Sequence, residues 1–198
     1  MLILLVGYSY LTNPNTYSLT ILIGLTFCLG GDILLLFPDY FKAGLFSFLI
    51  GHFWYIGAFI SGPLIFSWSM TIFIILTAGY IISQLWKPTG KLRLPVTIYI
   101  CIIAIMGLTA WSHYTASLTS VAQYAALGAT LFMMSDSLLA WSKFKSPFKY
   151  ADGFILLTYY TGQCLIAYSA IGCIVPWASL LAGYFFLKNT LHQGWWRH

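Results

Sequence analysis

Long apolar runs broken by short polar turns dominate the chain. Eight such runs can be drawn, at roughly 1–11, 17–37, 43–61, 64–86, 94–112, 119–141, 150–171 and 174–188. The interruptions are turn signals: Asn13-Pro14-Asn15, Pro38-Asp39, Gly62-Pro63, Lys87-Pro88, His113, and the stretch from Lys143 to Lys149. Segments of this kind suit hydrocarbon. Without water to bind its amide groups, a spanning segment must satisfy its own backbone, which a helix does and an open strand does not. A membrane barrel would need strict alternation, which Ile33 to Phe37 and Ile98 to Met106 do not show. The pattern predicts an all-α, polytopic membrane helix bundle with about eight transmembrane segments, seven being possible, in one domain over residues 1–198. The end segments are the shortest. The first reaches only about 17 Å at 1.5 Å per residue, against a hydrocarbon core of about 30 Å. The last carries Pro176 near its start.

Composition strengthens this reading. Of 198 residues 60% are hydrophobic and 7% charged, and no Glu is present; a soluble domain is about a quarter charged. The first residues have neither a basic region nor a small-residue cleavage site, so they are not expected to form a secretory signal. Cys28, Cys101, Cys164 and Cys173 fit no metal spacing and read as free, packed thiols.

Charge placement gives the bundle a direction. With eight alternating segments, Lys42, Lys87, Lys91, Arg93, Lys143, Lys145, Lys149, Lys188 and Arg197 all fall on one side, and His113 alone lies on the other. The positive-inside rule puts the basic side in the cytoplasm. The net charge of +5 is then a topology signal, and no nucleic-acid partner is expected. The expected setting is a cell membrane, the bacterial inner membrane, with the lipid bilayer as partner.

Ionisable residues at membrane depth are costly and mark function by default. Asp39 and Asp152 sit at loop edges. Asp32 and Asp136 lie inside spans, each five residues before the apparent cytoplasmic end of its run. At that register they sit about 7–8 Å inside and can face each other across the bundle. His52 lies deep in the third run with Tyr55 on the same helical face; Gln163 is in the middle of the seventh, with Tyr159 and Tyr160 one turn before it. Together these residues suggest one polar cavity opening toward the cytoplasm, with Asp32 and Asp136 as catalytic candidates and His52, Tyr55, Ser135, Tyr159, Tyr160 and Gln163 as substrate-binding ones. The plainer reading of each is packing: hydrogen-bond glue between helices for Tyr159, Tyr160 and Gln163, a packed ring for His52, and bonds back to their own helix for Ser135 and Ser137. No phosphate loop, Gly-x-Ser-x-Gly motif or zinc ligand set is visible, so no metal or cofactor is expected.

Four blocks in order carry a resemblance: Leu29-Gly30-Gly31-Asp32, Ile50-Gly51-His52-Phe53-Trp54-Tyr55, Gly128 through Met134-Ser135-Asp136-Ser137, and Tyr159-Tyr160-Thr161-Gly162-Gln163. Across about residues 20–170 the chain resembles the YhhN-like lysoplasmalogenase family of small multi-pass membrane proteins. The resemblance implies hydrolysis of the vinyl ether bond of lysoplasmalogen, a lysophospholipid, to a fatty aldehyde and glycerophosphoethanolamine or glycerophosphocholine. It also implies that Asp32 and Asp136, which match the family's Gly-Asp and Ser-Asp motifs, are catalytic. The chain starts inside the family's second helix, without the Lys-Pro that opens it. Vinyl ether hydrolysis begins with protonation of a carbon, and two carboxyls can divide the acid and base roles, as in glycosidases.

Other classes remain open to the sequence. A small-solute or proton-coupled transporter also uses buried Asp and His, although no internal repeat is visible. An intramembrane aspartyl protease would need Gly-x-Gly-Asp, and Leu29 stands where the first Gly belongs. A purely structural lipid-binding protein would tolerate loss of both aspartates. Headgroup preference and oligomeric state are not encoded in any motif.

Overall fold

The computed structural model describes residues 1–172. Among these are seven α-helices and no strand: α1 (Leu2–Thr12), α2 (Thr16–Leu35), α3 (Phe41–Phe59), α4 (Trp68–Leu85), α5 (Arg93–Ser117), α6 (Ser120–Phe144) and α7 (Ala151–Ile171). Short 3-10 turns at Pro38–Tyr40 and Gly90–Leu92 lead into α3 and α5. Local chemistry sets several ends. The Asn15 side chain accepts from the Ser18 amide and starts α2, and Thr119 does the same for Ala122 at the start of α6, each satisfying an orphan donor of the first turn.

Four stretches are long and apolar enough to cross a membrane: Thr16–Leu35, Trp68–Leu85, Gly90–Ser117 and Ala151–Ile171. The structure therefore supports a helical membrane bundle and corrects the expected count of about eight spans. The remaining long helices, α3 and α6, carry their polar and small residues inward; His52, Gly128 and Ser135 are all buried. α1 has only 11 residues. The expected segment at 174–188, with Lys188, Arg197 and Cys173, lies outside the described residues. His113, expected in a turn, is inside α5. The helix continues to Ser117 and stops where Leu118 turns left-handed at φ 52°, while the His113 ring stacks on Tyr17 at 5.5 Å. The polar ring is thus accommodated by aromatic packing.

Helices α2, α3, α5, α6 and α7 neighbour one another in that order and close back to α2, forming a five-helix ring. α1 rides outside it against α2 and α7, and α4 rides outside against α5 and α6. The ring interior is filled by Cys28, Phe48, His52, Tyr55, Met106, Phe132 and Tyr159. α4 is the least embedded helix, with Ile74 and Leu85 its only buried residues.

Small residues let the ring close. Helices in lipid associate through close packing of small residues and inter-helical hydrogen bonds. At the α6–α7 crossing, a Cβ on Gly128 would fall 2.7 Å from the Gly162 carbonyl oxygen, and one on Gly162 would fall 2.9 Å from that of Gly128. At the α2–α3 crossing the Tyr55 ring lies against Gly24, where a Cβ would have no room. Hydrogen bonds add to this: Ser47 Oγ to Phe27 O, Ser18 Oγ to Ala170 O, and Trp111 Nε1 to Thr130 Oγ1.

The basic residues gather at one end. Lys143 stands 4.9 Å over the Phe41 ring at the start of α3, and Lys145 donates to Gln84 near the end of α4. The α2–α3, α4–α5 and α6–α7 connections therefore meet on a common face.

Candidate active site

Asp136 lies on α6 where α3 and α5 converge. The Tyr99 hydroxyl of α5 donates to its Oδ2 at 2.7 Å. His52 Nε2 of α3 is 3.8 Å from the same oxygen, too far for a hydrogen bond, and neither nitrogen of the fully buried ring has a hydrogen-bond partner. The ring is held by edge-on contacts with Phe132 at 4.8 Å and Tyr99 at 5.6 Å. Asp136 keeps 10% side-chain exposure, and it borders a cavity of about 270 Å³ between α3, α4, α5 and α6. That cavity is walled mainly by aliphatic residues such as Leu49, Val96 and Ile103, with Lys42 at its α3 end.

Asp32 occupies different surroundings. The Tyr159 hydroxyl of α7 donates to its Oδ2 at 3.1 Å. One turn further along α7, Gln163 donates from Nε2 to the Tyr159 oxygen at 3.2 Å and accepts the Tyr55 hydroxyl at 2.7 Å on Oε1. This chain of hydrogen bonds ties α3, α7 and α2 together. Asp32, Tyr159, Tyr160, Gln163 and Cys28 border a second cavity, of about 240 Å³, beneath α1.

The expected single cavity is thus two. Between them stands a wall of rings: Phe48 and Phe132 pack on Tyr159 at 5.8 and 5.2 Å, with His52 behind Phe132. The carboxyl groups remain close enough for their charges to interact through the wall. The register also differs from the expected equal spacing. Asp32 is three residues from the end of α2 at Leu35, and Asp136 is eight from the end of α6 at Phe144.

Of the predicted substrate-binding residues, Tyr159, Tyr160 and Gln163 border the Asp32 cavity. His52 and Tyr55 are buried in the ring and border neither cavity. Ser135 also borders neither; its hydroxyl donates to the Ile155 carbonyl across the α6–α7 contact at 2.9 Å, so it joins helices instead of meeting a ligand. Ser137 bonds back to Met133 O within α6, as the plainer reading had it, yet it lies on the Asp136 cavity. Cys28, Cys101 and Cys164 are free, and Cys101 is exposed on its helix instead of packed. Among the described residues no cluster of His, Cys or Asp is able to hold a metal ion. The sequence reading missed Tyr99, the direct partner of Asp136. Its signal was its position just inside a span that starts from the basic end, the level at which Asp136 was expected.

Comparison with known proteins now bears on this arrangement. The sequence model described as the YhhN family matches residues 1–170. The chain belongs to the YhhN family. Among relatives, a bovine protein named lysoplasmalogenase TMEM86A is 33% identical over 167 residues, covering 81% of this chain and 68% of its own. The human lysoplasmalogenase TMEM86B is 32% identical over 174 residues, covering 87% and 73%. A lysoplasmalogenase homolog of Dictyostelium discoideum is 25% identical, covering 83% of this chain and 61% of its own. No solved structure matches. The match takes in both aspartates, both cavities and the ring that divides them. It is carried at the level of a family of membrane proteins whose named relatives are hydrolases of lysophospholipids.

Proposed function

We propose that this protein hydrolyses the vinyl ether bond of lysoplasmalogens, with Asp136 as the proton donor. The reading rests on one observation above all: Asp136 is a carboxyl anchored by Tyr99 at the edge of an apolar cavity, a place suited to an alkenyl chain with its reacting carbons against the acid. The names of the related lysoplasmalogenases supply the substrate class.

The chemistry follows from the enol ether. In its acid form Asp136 gives a proton to the β-carbon, and the double-bond electrons form the new C–H bond. Positive charge then spreads over the α-carbon and the ether oxygen. Water adds through oxygen to the α-carbon and returns a proton to the Asp136 carboxylate, leaving a hemiacetal. The hemiacetal breaks its bond to the glycerol oxygen, which leaves with a proton, and the aldehyde forms. One water is consumed and Asp136 is regenerated, so no cofactor takes part. Tyr99 holds the carboxyl in place through both protonation states. Asp32 serves through its charge, stabilising the cationic intermediate across the aromatic wall. A general acid contributes about 10²–10⁴-fold in rate.

The basic end faces the cytoplasm on the positive-inside rule, so the substrate is taken from the cytoplasmic leaflet. The deciding measurement is fatty aldehyde release from 1-alkenyl-glycerophosphoethanolamine by purified protein. Release that disappears in Asp136→Asn supports the reading; full release by that variant, or none by the native protein, overturns it.

A further inference from the structure

The two cavities differ in one respect that bears on what each can hold. Lys42 borders the Asp136 cavity, whereas the cavity beside Asp32 has no Lys or Arg among its bordering residues. Lys42 is exposed, and among the described residues no carboxylate lies within ion-pair distance of it. Lys143 reaches the same rim, where its ammonium stands over the ring of Phe41, the residue preceding Lys42 and itself part of the cavity lining. The rim therefore carries two cations without an acidic partner, at the end opposite the hydrocarbon-lined interior.

The same cavity has an open side. α3 and α4 both contribute to it, yet no Cα of α3 comes within 8 Å of one in α4. The gap between them, flanked by Leu45 and Phe46 on α3 and Ala78 and Ile81 on α4, faces the lipid-exposed side of the bundle, where Phe46 is 63% exposed. Helices that do not touch leave a lateral slot through which a chain can enter without leaving the bilayer.

We propose that a single-chain phospholipid enters between α3 and α4 and that Lys42 binds its phosphate, making Lys42 the residue that selects phosphorylated lipids over neutral ones. The inference rests on the reading of the Asp136 cavity as the substrate site. A charge-assisted bond from a flexible ammonium suits a phosphate oxygen, and the glycerol unit spans from the rim toward Asp136. The occupant is one lipid of defined polarity: apolar tail inward past the slot, anionic phosphate at the basic rim.

The test uses a ligand that cannot be cleaved. The full chain in detergent is titrated with 1-O-alkyl-glycerophosphocholine and, separately, with 1-O-alkylglycerol of the same chain length. The native protein is expected to prefer the phospholipid by about tenfold or more. Lys42→Met should bring that ratio close to one, and Lys42→Arg should keep most of it. Ala78→Trp, which narrows the slot, should weaken both lipids together. A native protein without preference, a ratio that survives Lys42→Met, or an equal loss of both lipids in Lys42→Met overturns the role of Lys42; unaltered binding in Ala78→Trp overturns the slot. Aldehyde release from the vinyl ether analogue is measured in parallel. A protein that binds with this preference but releases no aldehyde refutes the catalytic reading and leaves the phosphate site standing.

Discussion

The hydroxyl of Tyr99 on α5 donates to Oδ2 of Asp136 on α6 at 2.7 Å. The bond holds one carboxyl oxygen while the side chain keeps its 10% exposure beside the cavity. Removing the hydroxyl in Tyr99→Phe frees the carboxyl to rotate and leaves its oxygen unpaired. Turnover should fall by about tenfold, the worth of one hydrogen bond to a charged group, with KM little changed. Steady-state aldehyde release resolves the two parameters.

The two aspartates should not be equivalent. Asp136→Asn removes the only proton donor on the substrate side and should lower turnover by about 10³-fold, within the usual range for a general acid. Asp32→Asn removes a charge on the far side of the aromatic wall and should cost about ten- to a hundredfold by loss of electrostatic stabilisation. Parallel assays of the two variants give the ranking. A larger loss in Asp32→Asn would reverse the assignment.

The Tyr55–Gln163–Tyr159 chain should behave as a unit. Gln163→Leu strands the Tyr55 hydroxyl, and an unpaired buried polar group costs about 1–3 kcal/mol. Tyr55→Phe in the same molecule removes the stranded group and should recover part of that loss. Thermal unfolding of the two single variants and the double variant completes the cycle.

His52 should be replaceable as far as stability goes. Its ring is fully buried with both nitrogens unpartnered, so His52→Leu exchanges a polar group without hydrogen bonds for an apolar one. The expected result is a melting temperature equal to or above that of the native protein. A fall equivalent to more than about 2 kcal/mol would show that the ring makes a polar bond essential to the fold.

The Gly128–Gly162 crossing predicts the opposite behaviour. A leucine at Gly162 meets the Gly128 carbonyl and the α6 backbone. Overpacking of this kind costs about 1–3 kcal/mol or more. Detergent-solubilised Gly162→Leu should unfold at a clearly lower temperature than Gly153→Leu, where the added side chain meets open space.

The helices and their direction could be read from the sequence because each follows from a local property, an apolar run or a loop charge. The burial of Asp32 and Asp136 was legible for the same reason. Their separation into two cavities was not. It depends on α1 and α4 lying outside the ring, and no segment records its neighbours in its own pattern. His113 misled because a polar residue between apolar runs reads as a turn, yet its ring is met by Tyr17 and Phe59. Tyr99 was passed over because a tyrosine near the start of a span has the appearance of an interfacial anchor, and its carboxyl partner is 37 residues away. Ser135 was taken as a ligand residue from its place beside Asp136, but adjacent positions on a helix point in different directions.

The outlying position of α4 gives the protein two rates of change. Residues of the ring are fixed by contacts on several sides, and a substitution there must be answered by another. α4 has few such obligations, yet Thr77, Ala78 and Ile81 border the Asp136 cavity. Descendants of one ancestral chain can therefore diverge in the tails they accept by altering a single helix, while the acid, its tyrosine and the partition behind them pass unchanged from one to the next.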